Sequence, residues 1–110
     1  MIFPEGLDTA EEFQIVAKEL KNYKSSIFLL ANMTEFGKTP YINIGTFKEY
    51  GYNCVIYPVS TLRVAMKAVD GFFGDLKTNG VQKDYVDKMQ SRKELYDLLH
   101  YTPGKEWHFP

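Results

Sequence analysis

Three short runs of apolar residues alternate with stretches in which apolar residues recur every three or four positions. The runs are MIF (1–3), SIFLLA (26–31) and NCVIYP (53–58). They are continuous rather than alternating, which is typical of strands that are buried on both faces of a parallel sheet. The pattern predicts three parallel strands, each followed by a helix.

Capping residues indicate where the first two helices begin and end. Asp8 and Glu11 are spaced as a capping box for the first helix. Its apolar positions follow helical spacing: Phe13, Val16, Ala17 and Leu20. A short second helix is expected to end at Gly51, a residue suited to the left-handed conformation that closes many helices.

The third helix is predicted to start at Ser60 as its N-cap and to end at Asn79-Gly80. Its inward-facing stripe is expected to consist of Leu62, Met66, Val69, Phe73 and Leu76. Ser91 and Glu94 form a second capping box, which predicts a further helix near the C-terminus.

Alternating strands and helices imply an α/β fold with right-handed crossovers. Three parallel strands alone would leave two unpaired edges. A closed (β/α)8 barrel takes about 250 residues, so a chain of 110 residues accounts for less than half of one. We therefore expect residues 1–110 to form one partial (β/α)8 barrel, with about three strands and C-terminal helices at 79–101.

Composition excludes several classes of function. The 13 basic and 14 acidic residues nearly balance, and no basic block indicates nucleic-acid binding. The apolar runs are far shorter than the roughly 20 residues of a membrane helix. The start, MIFPEG, lacks the features of a signal peptide, and the single cysteine, Cys54, fits a reducing compartment. A cytoplasmic protein is expected, with the mitochondrial matrix as the alternative.

Polar residues follow the end of each predicted strand. Glu5 follows the first strand, Asn32 and Thr34 follow the second, and Arg63 lies one turn into the helix after the third. Ligands of parallel α/β folds bind at the carboxyl ends of the strands, so these four side chains are expected to meet at one rim. An arginine, an amide and a hydroxyl suit a small carboxylate substrate, and Glu5 suits a proton or the water shell of a metal ion.

Each of these residues, taken alone, has a structural explanation. Asn, Thr, Ser and Glu are common caps and turn formers in loops after strands. Cys54 lies among apolar strand residues and is interpreted as part of the core. His100 and His108 stand at no metal-ligand spacing, so no residue is assigned as a direct metal ligand.

Longer motifs resemble one family. MIFPEGL, LLANMTEFGKTP, VIYPVSTLRVAMKA and GVQKDYVDKMQSRKELYDLLHY are similar, in this order, to the C-terminal part of the 2-methylisocitrate lyases. These enzymes belong to the isocitrate lyase and phosphoenolpyruvate mutase superfamily of (β/α)8 barrels. The resemblance implies a Mg²⁺-dependent cleavage of 2-methylisocitrate to pyruvate and succinate, in the methylcitrate cycle of propionate catabolism.

The resemblance also implies roles for individual residues. Glu5 would lie near the metal and the substrate, the stretch Asn32, Met33 and Thr34 would bind the substrate, and Arg63 and Arg92 would bind its carboxylates. The family's metal-binding aspartates and catalytic cysteine loop belong to its N-terminal half and have no counterpart here. The chain is therefore expected to hold a substrate-binding half-site, no catalytic residue and no lyase activity of its own.

Two further implications concern partners and alternatives. The C-terminal helices of this superfamily commonly contact neighbouring subunits, which implies a homo-oligomer of the whole protein through residues 79–101. The chain is alternatively a non-catalytic remnant or a subunit that docks onto a full-length homologue. A third alternative is another member of the superfamily, such as an isocitrate lyase-like or phosphonomutase-like protein.

Overall fold

The computed structural model describes residues 1–108. It divides into two compact units, Met1–Met66 and Lys67–Pro110. The helices and strands, in chain order, are α1 (Ala10–Tyr23), β1 (Leu30–Asn32), α2 (Ile44–Tyr50), β2 (Cys54–Ile56), α3 (Ser60–Asn79), a 3₁₀ helix (Lys83–Lys88) and α4 (Arg92–Leu98). The alternation of strand and helix predicted in the first 80 residues is confirmed.

The sheet of the first unit is small and parallel. β1 and β2 pair in register, with Leu30 opposite Cys54 and Asn32 opposite Ile56. The predicted first strand forms a single parallel bridge, between Ile2 and Leu29. Pro4 has no amide proton to donate, so the pairing cannot continue past this bridge. In the described part of the chain, two strands and one bridge therefore stand where three strands are predicted.

Three aromatic side chains form the centre of the core in the first unit. Phe13 of α1, Phe47 of α2 and Tyr52 pack edge-to-face, with ring centroids 5.2 to 5.8 Å apart. Edge-to-face packing of this kind adds to the stabilisation that the buried area supplies. The other buried side chains of the core are Ala17, Leu29, Ala31, Met33 and Ile42.

The capping box of α1 lies one residue later than predicted. The Thr9 hydroxyl accepts a hydrogen bond from the Glu12 amide, and the Glu12 carboxylate accepts from the amides of Thr9 and Asp8. Asp8 therefore donates through its backbone and does not cap. The prediction of Asp8 and Glu11 was wrong. The pairs Asp8–Glu11 and Thr9–Glu12 both have the spacing of a capping box, and only the Glu12 carboxylate reaches two backbone amides in the structure.

α2 and α3 differ in how well their ends were predicted. α2 ends at Gly51, which adopts φ +92°, as its position in the sequence predicts. Ser60, however, is not an N-cap but the first residue of α3, since the Val59 carbonyl accepts from the Arg63 amide. The Ser60 hydroxyl instead donates a hydrogen bond to the carboxylate of Glu35.

The predicted inward stripe of α3 is largely exposed. Leu62 and Phe73, for example, are 58% and 60% exposed. An amphipathic helix buries its stripe only where another element packs along it. In the second unit the ring of Tyr85 packs instead on Phe72, at 5.5 Å between centroids, which lies outside that stripe.

The ends of the two remaining helices match their predictions. α3 ends before Gly80, which has φ +67°. The Ser91–Glu94 capping box opens α4, with the Ser91 hydroxyl accepting from the Glu94 amide. Within residues 1–108, no helix combines the length and the apolar character needed to cross a membrane.

Candidate functional site

A cavity of about 210 Å³ lies at the carboxyl end of β1. Its polar lining residues come from two loops that are distant in sequence, Glu5 from one and Asn32, Thr34 and Thr39 from the other. Its apolar wall consists of Phe3, Pro4, Gly6, Leu7 and Phe13. Three of the four residues predicted from the strand ends therefore share one cavity.

Asn32 lines the cavity and carries a buried acceptor without a partner. It is the last residue of β1, and its Oδ1 atom is buried without a hydrogen-bond partner. A buried polar atom without a partner costs about 1 to 3 kcal/mol. A buried polar atom of this kind in a residue that lines a cavity calls for an explanation.

The walls of the cavity are tied together by Thr39. Its hydroxyl donates a 2.7 Å hydrogen bond to the carbonyl of Leu7. This bond joins the loop after β1 to the loop after the Ile2 bridge, and it holds Thr34 and Glu5 on opposite sides of the same space. The cavity thus combines a carboxylate, an amide oxygen and two hydroxyl groups.

Met33 points away from this cavity. Its side chain is buried in the core, and its sulfur accepts a 3.3 Å hydrogen bond from the Ile42 amide. Its own amide donates to the carbonyl of Ile56. Because successive residues of an extended chain face opposite sides, Asn32 and Thr34 line the cavity while Met33 packs behind it.

Arg63 does not belong to the lining of this cavity and lies beside Glu35. The Nε atom of Arg63 lies 3.3 Å from Oε2 of Glu35. The ring of Phe36 lies under the guanidinium, at 5.1 Å from its central carbon. The hydrogen bond from Ser60 is the main cause that holds the pKa of Glu35 below its usual value, followed by a backbone hydrogen bond at Glu35 and last by the charge of Arg63.

Arg92 belongs to the second unit. It is the first residue of α4, directly after the cap Ser91. Together with Tyr96 and Tyr101 it lines an open pocket of about 460 Å³. Nothing in its local pattern distinguishes it from a surface arginine, so its assigned role depends on the family resemblance.

Comparison with known proteins decides the family. No family model matches the chain. The chain is 48% identical to the 2-methylisocitrate lyase of Aeropyrum pernix over 101 residues, which are 92% of this chain and 31% of the relative. It is 49% identical over 100 residues to that of Halalkalibacterium halodurans, covering 91% of this chain and 32% of the relative. Over more than nine-tenths of its length the chain is therefore similar to 2-methylisocitrate lyases.

A solved structure agrees with this assignment. The fold matches 2,3-dimethylmalate lyase, a PEP mutase/isocitrate lyase superfamily member, with a TM-score of 0.72 and 30% identity. The match covers 87% of this chain and 32% of that structure. The chain spans about a third of the length of the curated relatives it matches. The resemblance to a C-terminal portion of the 2-methylisocitrate lyases, inferred from the motifs, is confirmed.

The described part of the chain lacks a complete metal site. Within residues 1–108, no three side chains of His, Cys, Asp or Glu are grouped to hold a metal ion. On the cavity wall Glu5 is accompanied by oxygen atoms of Asn32, Thr34 and Thr39 but by no second carboxylate. These residues suit the surroundings of a hydrated cation and not its direct ligand set.

Sequence reasoning missed one residue of the site region, Glu35. The sequence pattern assigned it no role. The residues that it joins, Ser60 and Arg63, lie more than 20 positions further along the chain. The available signal was that both loops follow strands predicted to be parallel neighbours, so that their polar residues meet at one edge.

Proposed function

We propose that this chain is the C-terminal portion of a Mg²⁺-dependent carbon–carbon lyase. The whole protein would cleave 2-methylisocitrate to pyruvate and succinate in propionate catabolism, and this chain would contribute a substrate-binding half-site. The observation that carries the proposal is the cavity at the end of β1, which Glu5, Asn32 and Thr34 line together. The identity of 48 to 49% to two 2-methylisocitrate lyases supports the choice of substrate.

The cavity residues match the groups of such a substrate. A 2-methylisocitrate molecule carries three carboxylates and one hydroxyl, and the hydroxyl can donate to Oδ1 of Asn32. The hydroxyl of Thr34 can donate to a carboxylate oxygen, and Glu5 can hold a proton or a water molecule near the substrate. Arg63 and Arg92 would each bind a carboxylate through paired N–H groups. Met33 would contribute through its backbone, since its side chain is in the core.

The proposal assigns no catalytic residue to this chain. A bound Mg²⁺ ion would act as a Lewis acid toward oxygen atoms of the fragment that becomes pyruvate, while the electron pair of the cleaved carbon–carbon bond passes to the succinate-derived fragment. Its ligands, together with the acid and base groups, would come from the part of the relatives that this chain does not match. We therefore expect the 110-residue chain alone to release no pyruvate.

The same proposal includes the architecture and assembly of the whole protein. Residues 1–110 would form one part of a (β/α)8 barrel domain, whose remaining strands would pair with the open edge of β2 and with the segment that carries Ile2. The segment 79–101 would contact a neighbouring subunit in a homo-oligomer. A location in the cytoplasm, or alternatively in the mitochondrial matrix, stays a prediction.

One observation supports 2,3-dimethylmalate as a second candidate substrate. The fold matches 2,3-dimethylmalate lyase at 30% identity. That similarity is lower than the similarity to the 2-methylisocitrate lyases, so 2,3-dimethylmalate serves as the competing substrate in the test.

The decisive experiment is a chimaera. This chain replaces the matching 100 residues of the Halalkalibacterium halodurans 2-methylisocitrate lyase, and pyruvate release is measured with Mg²⁺ and each candidate substrate. We expect cleavage of 2-methylisocitrate within about tenfold of the parent enzyme, a loss of no more than about 1.4 kcal/mol of transition-state stabilisation. A folded chimaera that cleaves only 2,3-dimethylmalate, or neither compound, would overturn the proposal.

Two variants of the chimaera test the assigned residues. Arg63→Lys keeps the charge but removes the paired N–H geometry, and it should lower kcat/KM by about 10- to 100-fold. The matched control is Glu49→Gln, a charge change on the exposed side of α2. It should leave kcat/KM unchanged.

A further inference from the structure

We propose that Glu35 is a positioning residue, which holds Arg63 in the orientation needed to bind a substrate carboxylate. This inference rests on the proposed function of Arg63. Glu35 follows β1, and its carboxylate joins that loop to the first turn of α3. One carboxylate oxygen accepts from the Ser60 hydroxyl, and the other lies 3.3 Å from Nε of Arg63.

The contacts of the guanidinium leave one edge available. A guanidinium has five N–H donors in a planar fork. Glu35 lies at the Nε side, and the Phe36 ring covers one face at 5.1 Å. The two terminal nitrogens remain, and these are the atoms that form paired hydrogen bonds to a carboxylate. Arg63 is half exposed, so without Glu35 its side chain would sample many orientations.

The backbone of the loop supports the same arrangement. Phe36 adopts φ +62°, in the left-handed region that bulky residues rarely occupy. A conformation of this kind persists where surrounding contacts stabilise it. In this loop the contacts are those of the Phe36 ring with Arg63 and of the neighbouring Glu35 with Ser60 and Arg63.

The ionised state of Glu35 is the one that this role needs. The Ser60 hydroxyl contributes most to keeping the pKa of Glu35 below its usual value, and a backbone hydrogen bond at Glu35 and, least, the Arg63 charge lower it further. Glu35 is therefore negatively charged at neutral pH. As a carboxylate it accepts the Ser60 hydroxyl at Oε1, while Oε2 attracts the Arg63 guanidinium as an ion pair at 3.3 Å from Nε, so it acts on both residues at the same time.

The test uses the active chimaera described above. Glu35→Gln removes the charge while keeping the size of the side chain, and we expect KM for 2-methylisocitrate to rise about tenfold with kcat changed less than twofold. Ser60→Ala, which removes one of the two contacts, should raise KM by a smaller factor. Glu49→Gln is the matched control and should leave KM unchanged.

A double-variant cycle separates positioning from a general effect on folding. If Glu35 acts through Arg63, Glu35→Gln should raise KM no further in an Arg63→Lys background. The inference would be overturned if Glu35→Gln raised KM by the same factor in the Arg63→Lys background as in the parent chimaera. It would also be overturned if Glu35→Gln alone left KM unchanged. If Glu35→Gln fails to fold, the same cycle is made with Ser60→Ala, and multiplicative effects again overturn it.

The parent chimaera makes the two proposals distinguishable. An active chimaera whose KM is insensitive to Glu35→Gln overturns the positioning role and leaves the proposed function intact. A folded but inactive chimaera overturns both.

Discussion

The Thr39 hydroxyl and the Leu7 carbonyl are joined by a 2.7 Å hydrogen bond across 32 positions of sequence. This bond fixes the loop after β1 against the loop that carries Glu5, and the polar cavity lies between them. The shape of the candidate site therefore depends on a contact between two loops as well as on the strands that precede them.

Removal of this bond should loosen the cavity. Thr39→Val keeps the size and shape of the side chain but leaves the partly buried Leu7 carbonyl without its donor. We expect a loss of about 1 kcal/mol in the free energy of unfolding, measured by urea denaturation of the 110-residue chain. Thr61→Val, at an exposed position of α3, is the control and should change it by less than about 0.5 kcal/mol. Equal effects of both variants would contradict a structural role for the bond.

Asn32 should matter more for binding than for folding. Its Oδ1 atom has no partner, so Asn32→Ala removes a buried acceptor that destabilises the empty site. The free energy of unfolding of the chain should change by less than about 1 kcal/mol, because lost packing is offset by relief of that acceptor. In the chimaera the same variant should lower kcat/KM about 10- to 100-fold. A large loss of stability with unchanged kcat/KM would assign Asn32 to the scaffold instead.

The aromatic cluster should dominate the stability of the first unit. Phe47 is 1% exposed and packs edge-to-face on Phe13 and Tyr52. Phe47→Ala should therefore lower the free energy of unfolding by about 3 to 5 kcal/mol, as measured by thermal or urea denaturation. Tyr23→Ala removes a ring that is almost fully exposed and serves as control, with an effect below about 0.5 kcal/mol. A small effect of Phe47→Ala would mean that the cluster is not the core.

Tyr52 should make the chain less stable in alkali. Burial raises the pKa of Tyr52 to about 12, whereas an unfolded tyrosine titrates near about 10. Between these values the unfolded chain has released the proton that the folded chain retains, so stability falls as pH rises. Below about pH 10 this contribution is constant.

The measurement is urea denaturation at a series of alkaline pH values. Tyr52→Phe removes the titrating group and should abolish this part of the pH dependence. Tyr41→Phe, at an exposed position, is the matched control and should leave it unchanged. A Tyr52→Phe chain with the same alkaline slope as the original would show that the slope has another source.

Local signals in the sequence predicted the helix ends where a single residue type suffices. Gly51 and Gly80 both adopt positive φ, and Ser91 with Glu94 forms its capping box. The α1 box was misplaced by one residue, because neighbouring Asp8 and Thr9 are both good caps. The prediction that the apolar stripe of α3 faces inward was wrong for a different reason. Periodicity indicates which face of a helix is apolar but not whether another element covers that face.

The sequence pattern also predicted part of the candidate site. Glu5, Asn32 and Thr34 share a cavity because each follows a segment that pairs in parallel, and parallel order follows from strand–helix alternation. The ion pair of Arg63 with Glu35 was missed, because the path of a loop between two elements is not encoded in a short pattern. The side chain of Met33 faces away from those of Asn32 and Thr34. The alternation of side chains in an extended chain predicts this from the sequence.

The sequence by itself determined the family, the α/β order and the polar character of the strand ends, because these depend on residue type and spacing along the chain. The tertiary structure decided which of the polar residues meet. Asn32 lines a cavity with Glu5, and Arg63 turns to Glu35, because hydrogen bonds between distant loops and the packing of the Phe36 ring set those directions. Such contacts join residues far apart in the chain, and their geometry exists only once the strands have paired.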